Sequence, residues 1–259
     1  MFEKNATTET IISVNKSVQK RNVTPRAAAG IQFDLQQEWH SSEAILSSRY
    51  WPNGAANGDF EFSVSLPYIH QTAYTAATIQ GPVFRDQSSD GGWGDASAGF
   101  RTRLSNFGSQ GSELWCGLWI SPNMAQGRLF GTEANRFGLQ AQLINRSMEN
   151  TQTYMGYEPV FSDGNFSRTT HQLLGSISHI LSSNLGFRVR ASIYHSNARD
   201  ITPSSNGGSI LFALSFRTPA QLEIEPVASY SRSSDLTRGP WTYNNQHGRY
   251  LGVNLRLPL

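Results

Sequence analysis

From residue 30 onward, apolar and polar residues alternate with a period of two, the pattern of strands whose two faces meet unlike surroundings. In Asp59 to Tyr68, Phe60, Phe62, Val64, Leu66 and Tyr68 share one face, and Asp59, Glu61, Ser63 and Ser65 share the other. Ser209 to Arg217 sets Ile210, Phe212, Leu214 and Phe216 against Ala213, Ser215 and Arg217. Leu185 to Ile193 sets Leu185, Phe187, Val189, Ala191 and Ile193 against Arg188, Arg190 and Ser192. The alternation predicts twelve strands, at about 30–39, 43–51, 58–70, 95–104, 112–121, 135–146, 151–160, 170–181, 184–195, 208–217, 220–231 and 248–258. Segments 43–51, 112–121 and 170–181 alternate poorly. Most segments have about 9 to 13 residues, enough for a tilted strand to cross a bilayer.

The connections carry a second rhythm. They are long after the third, fifth, seventh, ninth and eleventh strands and short after the second, fourth, sixth, eighth and tenth. Short turns on one side, longer loops on the other and an even strand number are the plan of outer-membrane barrels. The first connection, near Ser41 and Ser42, is short where that plan expects a long one. Closure has a physical cause, because hydrocarbon offers no partner to the backbone groups of an open sheet edge. The last segment alternates Leu251, Val253, Leu255, Leu257 and Leu259 to the chain end. This resembles the terminal sorting signal of outer-membrane barrels, with Leu259 where that signal usually has Phe. The expected fold is all-β: a closed antiparallel transmembrane β-barrel of about twelve strands, with short periplasmic turns and long extracellular loops.

Composition changes this picture little. The chain is 38% hydrophobic, with a mean hydropathy of −0.41. No stretch approaches the roughly 18 apolar residues of a membrane helix, but a barrel shows lipid only alternate residues, so its mean hydropathy stays low. Aromatics at 11% are too abundant for a disordered chain. A net charge of +2 gives no case for a nucleic-acid partner. Cys116 is the single cysteine, so neither a disulfide framework nor a zinc cluster is expected, and no cofactor motif is present. Met1 to Ala29 lacks the apolar run of a secretory signal, so the expectation is that export information was removed or lies outside this chain. Lys4, Lys16 and Lys20 are the only lysines. That shift divides the chain into a polar N-terminal extension, 1–28, and a barrel, 29–259. The extension is expected to be flexible, to plug the lumen, or to add a strand around Ile11 to Val18.

With the apolar faces turned to lipid, the lumen receives Asp34, Glu38, Asp59, Glu61, Arg101, Arg103, Arg188, Arg190, Arg217, Glu223, Glu225 and Arg256. An arginine at the lipid midplane would cost about 2–4 kcal/mol. Glu223 and Glu225 lie between the strands of Arg217 and Arg256, so cross-strand pairing is expected. Two readings stand: a structural ion-pair network, or a charged constriction that selects solutes. Twelve strands about 4.8 Å apart, tilted about 40°, give a backbone radius of roughly 12 Å and a bore of about 10 Å or less. Trp39, Tyr50, Trp51, Tyr68, Trp93, Tyr194 and Tyr230 fall near strand ends, as interfacial girdles require.

Leu66-Pro67-Tyr68 ends one strand, and Gly92-Trp93-Gly94-Asp95 opens the next after a polar loop. With the hairpin Arg188 to Phe216, these motifs resemble the bacterial outer-membrane family of meta-pathway phenol-degradation transporters. The resemblance covers most of residues 30–259. It implies a small barrel for uptake of aromatic or other hydrophobic compounds, with no catalytic residues to carry over.

Other patterns point elsewhere. Tyr194-His195-Ser196-Asn197-Ala198 is similar to a signature of outer-membrane lipid hydrolases, but adjacent His195 and Ser196 would face opposite ways on a strand. His40, His70, His171, His195 and His247 fall near predicted extracellular ends, and Asp86, Asp90 and Asp95 lie in the longest predicted loop without calcium-loop spacing. The sequence reading is therefore a non-enzymatic channel or uptake barrel, with outer-membrane lipid and a small-molecule solute as partners. Its rivals are a structural or interaction platform contacting protein through the extracellular loops or N-terminal extension, a lipid hydrolase, and a soluble β-barrel.

Overall fold

The computed structural model describes residues 7–25, 33–52, 59–79, 81–107, 111–125, 134–163, 168–197, 204–234, 236–238, 241–243 and 246–258. Among them the strands are β1 (Thr8–Pro25), β2 (Phe33–Tyr50), β3 (Phe60–Ile79), β4 (Val83–Trp93), β5 (Ser97–Phe107), β6 (Ser112–Ser121), β7 (Arg136–Met148), β8 (Thr151–Ser162), β9 (Arg168–Ser182), β10 (Leu185–Ser196), β11 (Ser205–Arg217), β12 (Glu223–Ser233), β13 (Leu236–Arg238), β14 (Trp241–Tyr243) and β15 (His247–Pro258). Twelve of them close into an antiparallel ring in the order β1, β15, β12, β11, β10, β9, β8, β7, β6, β5, β3, β2, and β2 pairs back onto β1. β4 extends β3, while β13 and β14 form a small hairpin against β1.

The strand number agrees with the sequence pattern, but the N-terminal part differs. Segments 30–39 and 43–51 are one strand: Ser41 and Ser42 sit opposite Gln71 and His70 with no turn between them. The short first connection disappears with the turn. The twelfth place belongs to β1, which pairs with β2 from Thr8 to Val23 and with β15 from Glu9 to Lys20. The stretch expected to be a polar extension is thus a wall strand over Thr8–Pro25, as the alternation around Ile11 to Val18 allowed; residues 1–6 lie outside the described residues. Its signal is weak because only its lower part meets lipid. Ile12 and Val14 face outward, and above them the outward positions carry Lys16 and Lys20.

Loop 71–94 also differs. The upper half of β3 and the whole of β4 form a tall hairpin, with Gly81 at φ +107° at its tip. β3 pairs with β5 from Phe60 to Ser65 and with β4 from Tyr68 to Thr78. The Leu66-Pro67-Tyr68 and Gly92-Trp93-Gly94-Asp95 motifs mark this fork. The Gly94 N–H donates to the Pro67 carbonyl at 2.9 Å, and a Cβ on Gly94 would press against Pro67 and Ile69 at 3.0 Å. β4 and β5 are therefore one descending run broken where the chain needs glycine for close approach.

The outer face is a hydrocarbon belt. Phe60, Phe62, Val64, Leu66, Phe212, Leu214, Phe216, Leu251, Val253 and Leu257 are among its exposed apolar side chains. Tyr68 and Trp93 meet edge to face, with centroids 5.4 Å apart, at its upper rim. Tyr50, stacked near Phe62, and Tyr230, beside His247, also face outward. Three of the expected girdle residues turn inward instead. Trp51 donates to Glu61, Trp39 lies 5.9 Å below the Arg21 guanidinium, and Tyr194 covers Gly207, where a Cβ would fall 2.4 Å from its ring. Position near a strand end does not fix the face; parity does.

Val253 sits mid-belt between Val14 and Pro226. Val253→Arg is expected to cost about 2–4 kcal/mol, read from urea titration of folding into phospholipid vesicles, because the guanidinium must enter hydrocarbon. A loss below about 0.5 kcal/mol would mean this face does not meet lipid.

Candidate functional site

Inside the ring lies a polar cavity of about 680 Å³. Along β7 its lining runs from Arg136 to Ile144, roughly 27 Å of strand at 3.4 Å per residue, so it follows the barrel axis across most of the belt. Its walls carry Glu61 and Arg101 on one side and Arg188, Arg190, Glu223, Glu225 and Arg256 on the other. The same inward positions hold Ser47, Ser65, Ser176, Ser178 and Ser215, short side chains that leave room for the cavity beside the long charged ones.

Glu225 is the centre of one cluster and is 1% exposed. Arg188 Nη2 donates to its Oε1 at 2.5 Å, Arg256 Nη2 reaches it at 3.3 Å, Asn254 Nδ2 donates at 2.8 Å, and the Ser215 hydroxyl donates to Oε2 at 3.2 Å. Strand register puts these groups together: Arg188 stands opposite Ala213 on β11, and Glu225 opposite Asn254 on β15. Glu223 lies beside Arg256 at 3.9 Å. A buried carboxylate with two guanidinium partners and two neutral donors has its lone pairs satisfied, which is what makes such burial tolerable.

On the far wall Glu61 pairs with Arg101 and accepts from Trp51 Nε1 at 2.9 Å. Arg101 Nη1 donates to Gln142 at 2.7 Å, and its guanidinium lies 5.1 Å from the Trp115 ring centroid. Trp119 lies across Gly138, where a Cβ would fall 2.3 Å from Nε1, and it donates to Glu158 at 2.6 Å. At the lower mouth Arg103 binds Asp59 at 2.5 Å and reaches Glu113 at 3.5 Å, while Arg146 takes Glu113 at 2.5 Å. Arg217 ends β11 opposite Glu223.

Two residues assigned to the lumen from sequence lie elsewhere. Asp34 and Glu38 share the outward parity of Ala44 and Leu46 on β2, above the belt. Asp34 accepts from Gln36 at 3.2 Å, and Glu38 binds Lys20 at 2.8 Å and His40 at 2.7 Å. The Lys20 hydrogen bond holds the Glu38 carboxyl below the usual carboxylate range, against a smaller opposing effect of burial. As a separate strand, 30–39 lacks the parity reference that the rest of β2 supplies. Conversely, Glu43 and Arg49 share the inward parity of β2, and Glu113, Gln142 and Glu158 line the interior of segments that alternate weakly or carry few charges.

The alternative chemistries find no assembled site among the described residues. Ser196 is 2% exposed on the inner face with its hydroxyl 2.7 Å from that of Thr170, whereas outward His195 contacts Asn206 at 2.6 Å, so the two do not meet. His70 contacts Ser89, His171 contacts Tyr157 and His247 contacts Tyr230, each on its own strand pair. Asp86 and Asp90 lie along β4, and Asp95 accepts from the Met124 and Ala125 N–H groups, fixing the start of the connection after β6.

No family model and no curated protein matches the sequence. Solved structures do match. An outer membrane channel from Pseudomonas putida F1 aligns over 99% of this chain and 97% of its own, at 10% identity and a TM-score of 0.61. The transport unit of the autotransporter AIDA-I from Escherichia coli aligns over 94% and 89%, at 11% identity and 0.54. The NanC porin aligns over 93% and 98%, at 12% identity and 0.51. The fold is that of bacterial outer-membrane β-barrels, closed and porin-like.

Proposed function

We propose that this chain is a passive outer-membrane channel for small solutes, and that Glu61, Arg101, Arg188, Arg190, Glu223, Glu225 and Arg256 line its path. The observation that carries the reading is the axial polar cavity, about 680 Å³, inside a closed ring whose outer face is an apolar belt. A barrel needed only as an anchor gains nothing from a charged interior cavity. The resemblance to meta-pathway phenol-degradation transporters adds aromatic compounds as the solute class, and the serine- and arginine-rich lining suits their polar ends.

The tall hairpin of β3 and β4 favours a second reading, a platform for a protein partner. Val83 and Phe84 are exposed at its tip, and among the described residues the far edge of β4 has no strand beside it. Planar-bilayer recording separates the two. The channel reading expects stepwise current from the purified barrel and swelling of liposomes loaded with small sugars. A folded barrel that gives neither would leave the platform.

A further inference from the structure

The guanidinium groups that line the cavity are not equivalent. Arg188 and Arg256 share Glu225, Arg101 holds Glu61, Arg136 faces Asp95 at 3.9 Å, and Arg49 reaches Glu9 at 3.5 Å. Arg190, on the same face of β10 as Arg188, is different. Among the described residues no carboxylate, amide or carbonyl oxygen bonds it, and its side chain is exposed within the cavity. Its ladder neighbours are Ser176 on β9 and Leu211 on β11, neither of them an ion. Two residues further up, on the same face, the Ser192 and Ser209 hydroxyls bond each other at 2.8 Å. Beyond Ser176 in the same row stands Tyr154 on β8. On that side the lumenal carboxylate Glu158 accepts from Trp119 and Gln140.

We propose that Arg190 is an anion-binding station of the lumen and that the solute it receives is a small organic monocarboxylate. The inference rests on the channel reading above. An unneutralised guanidinium in a narrow bore with low-dielectric walls concentrates anions more strongly than one on an open surface. Its planar fork matches the two oxygens of a carboxylate, which a chloride ion cannot exploit. A single uncompensated positive charge selects a singly charged partner. Hydroxyl groups of Ser176 and Tyr154 in the same row offer neutral donors to the rest of the solute.

The test compares wild type, Arg190→Gln and Arg190→Lys in planar bilayers. Among the described residues Arg190 has no ion-pair partner to lose, so both variants are expected to fold, as checked by heat-modifiable migration. Under a potassium chloride gradient the wild type is expected to favour chloride. A unit charge about 6 Å from a passing ion in water-like screening changes its local concentration about threefold, oppositely for the two signs, so Arg190→Gln should shift the permeability ratio by up to about tenfold. Benzoate, as the probe monocarboxylate, should reduce the wild-type current and leave that of Arg190→Gln unchanged. Arg190→Lys should keep the chloride preference and lose most of the benzoate block. Current that flows with the same selectivity and block in wild type and Arg190→Gln would overturn the station and leave the channel standing. Current absent from all three would remove the channel reading and the station with it. Altered selectivity with no benzoate effect would withdraw the carboxylate.

Discussion

Removal of residues 1–25 is expected to abolish the folded barrel. β1 fills the gap between β2 and β15 and pairs along sixteen positions with the first and twelve with the second. Without it, two strands would present unpaired N–H and C=O groups to hydrocarbon, at a cost of several kcal/mol for each group left without a partner. Sequence position makes this counterintuitive, because a polar N-terminal stretch reads as dispensable. The measurement is refolding into detergent micelles or vesicles, followed by migration on unheated gels and by far-ultraviolet circular dichroism. The truncated chain should run only as the unfolded band. A folded, heat-modifiable band with wild-type β content would show that β2 and β15 can seal directly, and β1 would revert to an extension. Lys16→Ala serves as the control: its side chain points outward at the upper edge of the belt, opposite Leu251 and Ser42, so that variant should fold normally.

Glu225→Ala is expected to be the most damaging single lumenal substitution. It leaves Arg188 without its carboxylate and Arg256 with Glu223 at 3.9 Å, with Asn254 and Ser215 also losing their acceptor. Breaking a buried ion pair from one side costs about 3–5 kcal/mol, because the remaining charge loses its compensation. Arg188 keeps 30% of its side chain at the lumen water, which screens part of that penalty and places the expectation at the lower end, about 3 kcal/mol. Urea unfolding in a fixed lipid composition provides the value. The triple variant Arg188→Met, Glu225→Leu, Arg256→Met removes all three charges together and should recover most of the loss. If Glu225→Ala were neutral, the cluster would be a set of solvated charges and not a member of the wall's support. If the triple variant were as unstable as the single one, packing and not charge would be the cause.

Much of the architecture is legible in the chain itself. Strict alternation in β3, β10 and β11 names both faces, because hydrocarbon penalises a charged residue on the outside that the lumen accepts. Loop rhythm from the fourth strand onward gives the antiparallel order. In the lumen, Glu61, Arg101, Arg188, Arg190, Glu223, Glu225 and Arg256 are recoverable from parity alone. Pairing is partly legible too, since consecutive strands neighbour each other and bring Glu225 near Arg256.

Other features needed the closed ring. Phe33–Tyr50 contains a serine pair that mimics a turn, and nothing local distinguishes a serine in a tall strand from one in a bend; the pairing of Ser41 and Ser42 with β3 does. β1 carries too few apolar residues to announce itself, because most of its length rises above the membrane. Its role is defined by two edges that come together only when the sheet curls. The faces of Asp34 and Glu38 depend on the same continuity, since a strand's parity is known only relative to its whole length. Which arginine lacks an ion-pair partner among the described residues is equally a property of closure. Arg188 and Arg190 are indistinguishable in sequence, two residues apart on one face. The barrel sets Arg188 against Glu225 and Arg190 against serine and leucine, and that difference comes from register across strands far apart in the chain.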